Sequence, residues 1–186
     1  MRVIAGKARR MTLIAPEGRD VRPTTDRIKE TLFNILQQDI FDSSFLDLFS
    51  GSGGIGIEAL SRGAKEAVFV EKNKEALRCI NHNLSHTRLS DDAEVLPMDA
   101  LSAIRNLSKR GKSFDIIFMD PPYEQDMEMS VLEELDASGI LHEDTIIVIE
   151  TSLRTDETEF NFGNFEVTRV KEYKTNQHVF LNYNKR

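Results

Sequence analysis

The stretch Asp120-Pro-Pro-Tyr123 places a carboxylate, a rigid turn and an aromatic ring directly after an apolar run. Pro121 and Pro122 fix φ and donate no N–H, so the carbonyl oxygens beside them face outward as hydrogen-bond acceptors. Acceptors next to an aromatic face suit a planar nucleobase that carries an exocyclic amine. Accepting the two amine hydrogens would turn the lone pair towards an electrophile, a reaction that needs mainly positioning and electrostatics. The stretch therefore predicts chemistry on a nucleobase amine.

A second stretch, FLDLFSGSGGIGIEAL at 45–60, has Gly51, Gly53 and Gly56 at the spacing of a nucleotide-binding turn. Such glycines let the chain turn tightly between a strand and a helix and let a ligand approach the backbone. The stretch lacks the Gly-Lys-Ser/Thr ending of a phosphate-binding P-loop. Asp47, with no basic residue between 47 and 56, disfavours the two phosphates of NAD. It favours a cationic ligand such as S-adenosylmethionine.

Two further acids follow the next two apolar runs. Glu71 lies 20 residues after Gly51, where an acid binds ribose hydroxyls, and Asp99 follows the third run, where it could accept from an adenine amine. An aspartate at that point is also a good helix N-cap. Because NAD carries an adenosine ribose too, an NAD-dependent oxidoreductase remains an alternative, although it gives Asp120–Tyr123 no role. Three acids at the carboxyl ends of consecutive strands predict a ligand crevice.

The elements that position these acids alternate along the chain. From residue 45 onwards, short apolar runs alternate with helical patterns, which predicts βα units around a parallel sheet. Two β-like runs separated by a turn at Lys174-Thr175-Asn176 predict an antiparallel pair at the end of the sheet. The predicted strands are Phe45–Phe49, Ala67–Val70, Ala93–Leu96, Asp115–Met119, Thr145–Ile149, Phe165–Val170 and His178–Tyr183. Helices are predicted after Thr24 or Thr25, over Ile55–Arg62 and Lys74–Leu84, and around Leu101–Leu107 and Val131–Leu135.

Composition narrows the class of protein. A chain of 186 residues with 40% hydrophobic residues favours one globular domain, and no apolar run is long enough for a membrane span. The single cysteine, Cys79, excludes an internal disulfide, fits a reducing cytoplasm and lies among apolar residues as a buried side chain would. The four histidines lack the spacing of metal ligands, so no metal is expected.

The charge is unevenly distributed. Residues 1–30 carry a net charge of +4, so the remaining 156 residues carry −11 of the total of −7. Basic residues in the first thirteen positions suggest an arm that faces a polyanion, although a solvated terminus has the same composition. The basic residues of the arm are Arg2, Lys7, Arg9 and Arg10.

These motifs together resemble the class I S-adenosylmethionine-dependent N-methyltransferases, of the Rossmann-like α/β fold. More narrowly, RVIAGKARRMTL followed by RPTTDRIKETLFNIL is similar to the N-terminal signature of the bacterial 16S rRNA guanine-N2 methyltransferases, the RsmD-like family. The resemblance covers essentially the whole chain. It implies a seven-stranded, mostly parallel sheet with the last strand antiparallel, and guanine 966 of 16S rRNA in the small ribosomal subunit as the target. One departure is Tyr173-Lys174, where the family has Tyr-Gly, which affects the final hairpin turn rather than the chemistry.

The resemblance also implies the site and the partners. The methylated guanine would lie at Asp120, Pro121, Pro122 and Tyr123. The S-adenosylmethionine pocket, which would release S-adenosylhomocysteine, would comprise Asp47, Phe49, Ser50, Gly51, Gly53, Glu71, Met98, Asp99 and Ala100. RNA contacts are expected at Arg2, Lys7, Arg9, Arg10, Arg22 and Arg27. We expect a monomeric, cytoplasmic enzyme with a single domain (1–186), in which 1–40 contributes to RNA binding and 45–186 forms the catalytic core.

Two other functions fit parts of the sequence. A DNA or RNA methyltransferase acting on adenine N6 or cytosine N4 shares Asp-Pro-Pro-Tyr, but enzymes acting on DNA usually need further target-recognition sequence, which is not evident here. A catalytically silent RNA-binding assembly factor on the same fold is the other alternative. The intact Asp120 and glycine turn disfavour it.

Overall fold

A computed structural model describes residues 1–17, 25–122 and 127–184 of the chain. Within these ranges the helices and strands alternate from residue 26 onwards. The strands are β1 (Ser44–Asp47), β2 (Glu66–Val70), β3 (Ala93–Leu96), β4 (Ile116–Met119), β5 (Ile146–Ser152), β6 (Phe165–Glu172) and β7 (Asn176–Tyr183). The α-helices are α1 (Asp26–Ile35), α2 (Gly54–Ser61), α3 (Lys74–Thr87), α4 (Ala100–Lys109) and α5 (Met127–Ser138).

All seven strands form one sheet in the order β3-β2-β1-β4-β5-β7-β6. The pairs from β3 to β5 are parallel, whereas β7 is antiparallel to both β5 and β6. The prediction of a mostly parallel seven-stranded α/β sheet with an antiparallel last strand is confirmed. Because the order reverses direction at β1, the β1–β4 boundary is a switch point, where open α/β sheets bind ligands at their carboxyl edge.

Apolar side chains cover both faces of the sheet. On one face Phe33, Leu60 and Ile80, from α1, α2 and α3, belong to one buried cluster, and on the other Ile104 and Leu132, from α4 and α5, belong to a second. The helices begin at the predicted caps, since the side chains of Thr25, Asn73 and Asp99 each accept a backbone N–H of the following turn. Cys79 is buried, as predicted.

Strand β5 extends beyond its predicted end, and β7 begins before its predicted start. Strand β5 continues through the polar residues Glu150, Thr151 and Ser152 because these pair with the polar start of β7 at 176–178. The prediction ended β5 at Ile149, where the apolar run ends. Polar residues continue a strand here because the partner strand supplies buried hydrogen bonds to them.

The first thirteen residues form a compact element, here called the N-terminal hairpin. Val3 N–H donates to the Met11 carbonyl (2.9 Å) and Arg10 N–H donates to the Val3 carbonyl (2.8 Å). Gly6 lies directly on the end of α2, where a Cβ would come within 1.8 Å of the Ser61 carbonyl oxygen. The hairpin is therefore packed against the helix that follows the glycine turn, and the division into residues 1–40 and 45–186 stays a prediction.

Candidate active site

The glycine turn connects β1 to α2 and uses its glycines for two different reasons. Gly51 (φ +52°) and Gly53 (φ +81°) have left-handed backbone conformations, and Gly53 is the N-cap of α2. Gly56 lies inside α2, where a Cβ would come within 2.4 Å of the Phe69 ring on β2. Gly51 and Gly53 thus shape the turn, whereas Gly56 is required for packing of the helix on the sheet.

Asp47 ends β1 beneath this turn and is 1% exposed. Neither carboxylate oxygen has a hydrogen-bond partner among the described residues. Burial raises the pKa of Asp47 to about 7, and the nearby backbone N–H groups of Phe49 and Gly56 only partly oppose this rise. A buried carboxyl without partners is unfavourable by itself and fits a site that receives a cation or a hydrogen-bond donor.

Glu71 follows β2 and holds the glycine turn in place. One carboxylate oxygen accepts from Gly51 N–H (3.0 Å) and the other accepts from Asn73 N–H (2.7 Å). Ser50 adds a second link, because its N–H donates to the Val70 carbonyl (2.9 Å). The predicted ribose acid therefore also has a structural role, since it joins the ends of β1 and β2 at the crevice.

The remaining predicted cofactor residues lie at the neighbouring strand ends. Asp99 caps α4, accepting from Ser102 N–H (2.9 Å) and Ser102 Oγ–H (2.7 Å), and these bonds lower the pKa of its carboxyl. Met98 and Phe49 are partly buried against the apolar cluster, while Ala100 is fully buried in it. Asp99 is exposed and retains free lone pairs, whereas Ala100 presents only its helix-terminal backbone.

Asp120 follows β4, next to β1 in the sheet. Loss of hydration raises the pKa of its carboxyl to about 8, with further contributions from the negative charges of Glu150, Asp47 and Glu128. The structure places Pro121 in the interior and Pro122 at the surface, while Tyr123 lies outside the described residues. Asp120 is thus partly exposed at the edge of a crevice that already contains other carboxyl groups.

Glu150 on β5 is a site residue that the sequence prediction missed. Its strand position follows Ile149, which pairs with Met119, so Glu150 lies beside Asp120 at the same sheet edge. Its oxygens bond to Asn176 Nδ2–H (2.6 Å) and to His178 Nε2 (3.0 Å). The other ring nitrogen of His178, Nδ1, lies 3.1 Å from the Tyr173 hydroxyl. The buried chain fixes Glu150 in position.

Four carboxyl groups therefore converge at the carboxyl edge of β1, β4 and β5. Glu128 on α5 is the fourth, and its Oε1 accepts from the Thr151 hydroxyl (3.1 Å). No lysine or arginine forms an ion pair with Asp47, Asp120, Glu128 or Glu150 in the described part of the chain. Glu128 was also missed by the prediction. Glu150 directly follows a buried apolar run, as Asp120 does, so the rule that located Asp120 would also have found Glu150.

The predicted RNA-binding residues occupy different settings. Arg2 forms an ion pair with Asp26 (3.0 Å), whereas Lys7, Arg9 and Arg10 are exposed on the hairpin without an ion-pair partner among the described residues. Arg27 is exposed on α1, and Arg22 lies outside the described ranges. The hairpin therefore holds its basic side chains on a folded surface.

A buried charged cluster beneath the hairpin was also missed. Glu58 on α2 accepts from Ile4 N–H (2.9 Å) and Ala5 N–H (3.0 Å) and is 2.8 Å from Arg62 Nε. Lys29 Nζ lies 3.5 Å from Glu58 and donates to the Arg2 carbonyl (2.6 Å), and both side chains are fully buried. The cluster attaches the hairpin to α1 and α2. No local pattern marks a lysine or a glutamate within a helix as buried.

Across 1–17, 25–122 and 127–184, no group of three or more His, Cys, Asp or Glu side chains is arranged to hold a metal ion. Over the same residues, no helix combines the length and the apolar character that crossing a membrane requires.

Comparison with known proteins assigns the family. The family model described as conserved hypothetical protein 95 matches residues 1–182. The chain belongs to this family. The chain is 38% identical to the Bacillus subtilis candidate rRNA methyltransferase YlbH over 93% of this chain and 94% of that protein. It is 35% identical to ribosomal RNA small subunit methyltransferase D of Escherichia coli K12, over 82% of this chain and 75% of that protein. The predicted RsmD-like resemblance is confirmed.

A solved structure shows the same family architecture. The Escherichia coli candidate methyltransferase YhhF superimposes with a TM-score of 0.85 at 30% identity, covering 100% of this chain and 99% of that chain. Its extent matches the whole of the sheet and both helical layers. The class I methyltransferase fold predicted from the motifs is therefore confirmed.

Proposed function

We propose that this protein is an S-adenosylmethionine-dependent methyltransferase that modifies the exocyclic N2 amine of a guanine in small-subunit rRNA. The observation that carries the proposal is the convergence of Asp47, Asp120, Glu128 and Glu150 at the carboxyl edge of the sheet, where no lysine or arginine of the described residues forms an ion pair with them. The relatives named as rRNA methyltransferases support the substrate class. The single buried Cys79 suits the cytoplasm as the compartment. The monomeric state stays a prediction.

The carboxyl-rich crevice fits a cationic methyl donor. S-adenosylmethionine supplies an electrophilic methyl group on a positively charged sulfur, together with an ammonium group. Asp47, whose buried oxygens have no partner, is the residue we assign to that charge. We assign Glu71 and Asp99 to the ribose and the adenine amine, and the turn at Gly51 and Gly53 to close contact with the cofactor.

The same crevice favours guanine among the nucleobases. Guanine presents N1–H and N2–H₂ side by side on its Watson–Crick edge, whereas adenine and cytosine present a ring-nitrogen acceptor beside their amine. Ionised carboxylates only accept hydrogen bonds. A pocket that binds the base by this edge through carboxylates therefore favours a base that presents donors there. In its charged form Asp120, which lies beside Glu150, offers only acceptors and would repel a ring-nitrogen lone pair.

In the reaction, Asp120 and the carbonyl before Pro121 accept the two amine hydrogens and hold the lone pair towards the methyl carbon. The new N–C bond forms as the S–C bond breaks. The nitrogen then releases its surplus proton to Asp120 or to a water beside it. A carboxyl with a pKa of about 8 is a suitable acceptor. Stacking of the base is assigned to Tyr123, which lies outside the described residues.

A methyl-transfer assay tests the proposal. Small subunits from cells that lack this modification, naked rRNA and duplex DNA would each be incubated with the protein and labelled S-adenosylmethionine. The products would then be mapped by mass spectrometry. We expect label on a guanine N2 of small-subunit rRNA. Label on adenine N6 or cytosine N4 would support an amine methyltransferase of other specificity, absence of transfer with RNA binding retained would support a silent assembly factor, and tight binding of NAD alone would overturn the proposal.

Binding of S-adenosylmethionine should depend on pH. Because the pKa of Asp47 is about 7 in the free protein, a cation that favours its charged form must displace a proton. The affinity should therefore rise as the pH increases from 6 to 8, by at most about tenfold per pH unit for each proton released. Calorimetry in buffers of different ionisation enthalpy would count the protons.

Asp47→Asn is the matching variant for that measurement. It should weaken binding by about 30-fold or more and release fewer protons, because a buried charge partner is lost while the shape is kept. An affinity that does not change with pH in the wild-type protein would contradict the role of the Asp47 carboxyl.

Removing the charges of two arginines of the hairpin should weaken RNA binding and lower its dependence on salt concentration. Arg9→Gln with Arg10→Gln removes two exposed charges, so the slope of log affinity against log salt should fall by about 1.4, at roughly 0.7 per phosphate contact on single strands. Filter binding of an rRNA fragment at several salt concentrations would measure the slope. An unchanged slope would mean that these arginines remain in solvent when RNA is bound.

A further inference from the structure

The exposed side of α3 carries four basic or titratable side chains, each one helical turn from the next. These are Lys74, Arg78, His82 and His86, here called the α3 basic stripe, and all are exposed. A spacing of four residues corresponds to about 6 Å along the helix axis. The rings of His82 and His86 stack with centroids 6.0 Å apart. The spacing is close to that of successive phosphates along a nucleic-acid strand.

The stripe differs from several other basic side chains of the acidic surface, which are paired with glutamates. Elsewhere, Arg105, Arg110 and Lys112 lie within 3.0 Å of a glutamate oxygen. In contrast, Lys74 and Arg78 form no ion pair with any residue in the described ranges. On a chain with a net charge of −7, a row of basic groups without internal partners is available to an external anion.

The position of α3 connects the stripe to the site and to the hairpin. The helix begins three residues after Glu71, at the edge of the cofactor crevice. Residues 14–17 run along it, since Ile14 N–H donates to Asn83 Oδ1 (2.9 Å) and Glu17 N–H donates to Glu75 Oε1 (3.3 Å). Hairpin residues and α3 residues also share one apolar cluster. The basic groups of the hairpin and the stripe therefore lie on the same face of the sheet.

We propose that the α3 basic stripe binds consecutive phosphates of the RNA strand that enters the active site. This inference rests on the proposed function and identifies a second phosphate-binding element beside the hairpin. An RNA strand that follows α3 would lead from the stripe to the crevice at Glu71, and Lys74 is the residue of the stripe that follows Glu71 most closely in the chain. An acidic body with two basic elements on one face would bind RNA in a single orientation.

The double variant Lys74→Gln with Arg78→Gln tests the proposal. We expect the KM for the RNA substrate to rise about tenfold near physiological salt, while kcat and the affinity for S-adenosylmethionine remain unchanged. The salt slope of RNA binding should fall by about 1.4 for two lost phosphate contacts. The matched control is Lys109→Gln with Arg169→Gln, which removes the same charge from exposed positions on α4 and β6.

The outcomes separate this inference from the proposed function. If wild-type protein methylates rRNA and both double variants behave alike in KM and salt slope, the stripe does not bind RNA and the proposed function stands. If wild-type protein transfers no methyl group to RNA, the proposed function fails and the inference fails with it. A fall in slope confined to the Lys74/Arg78 variant supports the stripe.

Discussion

Asp120→Ala is expected to lower the rate of methyl transfer by about 10³-fold or more while changing the affinity for S-adenosylmethionine by no more than about threefold. The residue holds the amine hydrogens in the transition state, so its loss removes both orientation and the proton acceptor. With a pKa of about 8, its carboxyl is mostly neutral at pH 7 in the free protein and contributes little attraction to a cation there. Single-turnover rates and calorimetry on the same preparation would measure both quantities.

Asp115→Asn is the control for that variant. Asp115 precedes the same strand at the opposite edge of the sheet, where its Oδ2 accepts from Ser44 N–H (2.7 Å). The control should retain the transfer rate even if it loses some stability. Equal losses of cofactor affinity and transfer in Asp120→Ala would show that Asp120 holds the cofactor rather than the target amine.

The position of the predicted acids in the fold has a simple physical origin. A strand covered on both faces must be apolar, so the first charged residue after it marks the sheet edge where ligands bind. Glu71, Asp99 and Asp120 were placed at this edge by that rule and Asp47 by its position before the glycine turn, and the structure puts all four there. The fold followed from the same alternation of strands and helices.

The prediction did not apply this rule at Glu150, and the rule does not show how Glu150 is held, because β5 does not end where its apolar run ends. Its polar residues are stabilised by Asn176, Gln177 and His178 on β7, which are far away in sequence. Only the antiparallel register reveals that Glu150 and His178 are paired. Because the hydrogen-bond partners of these β5 residues lie on another strand, the sequence around them gives no local signal that they are buried.

The hairpin shows a second limit of local patterns. Its basic residues predicted an arm. The hairpin is instead fixed by Glu58 and Lys29, and the segment after it by Asn83, from three different helices. Asn83 Nδ2 donates both to the Ile14 carbonyl and to the Ser52 carbonyl in the glycine turn, at 2.9 Å each. The segment that follows the hairpin and the cofactor turn are therefore held by one side chain, which couples the orientation of the two proposed binding elements.

Glu58→Ala should destabilise the fold by about 3–5 kcal/mol, because it leaves the fully buried Lys29 ammonium without its carboxylate partner. It also removes the acceptor for Ile4 N–H and Ala5 N–H, which hold the hairpin on α2. Urea unfolding followed by circular dichroism would give the free energy, and the m-value would show whether the hairpin detaches before the core unfolds.

Glu66→Ala is the matched control for this substitution. Its carboxylate forms an ion pair with Lys112 (3.0 Å) at the surface, with about a third of each side chain exposed, so its removal should change stability by about 1 kcal/mol or less. The double variant Lys29→Met with Glu58→Leu removes both charges and should regain part of the loss. A Glu58→Ala protein as stable as the Glu66→Ala control would mean that the other contacts of the hairpin hold it without Glu58, and RNA affinity should then be unaffected by the loss of Glu58.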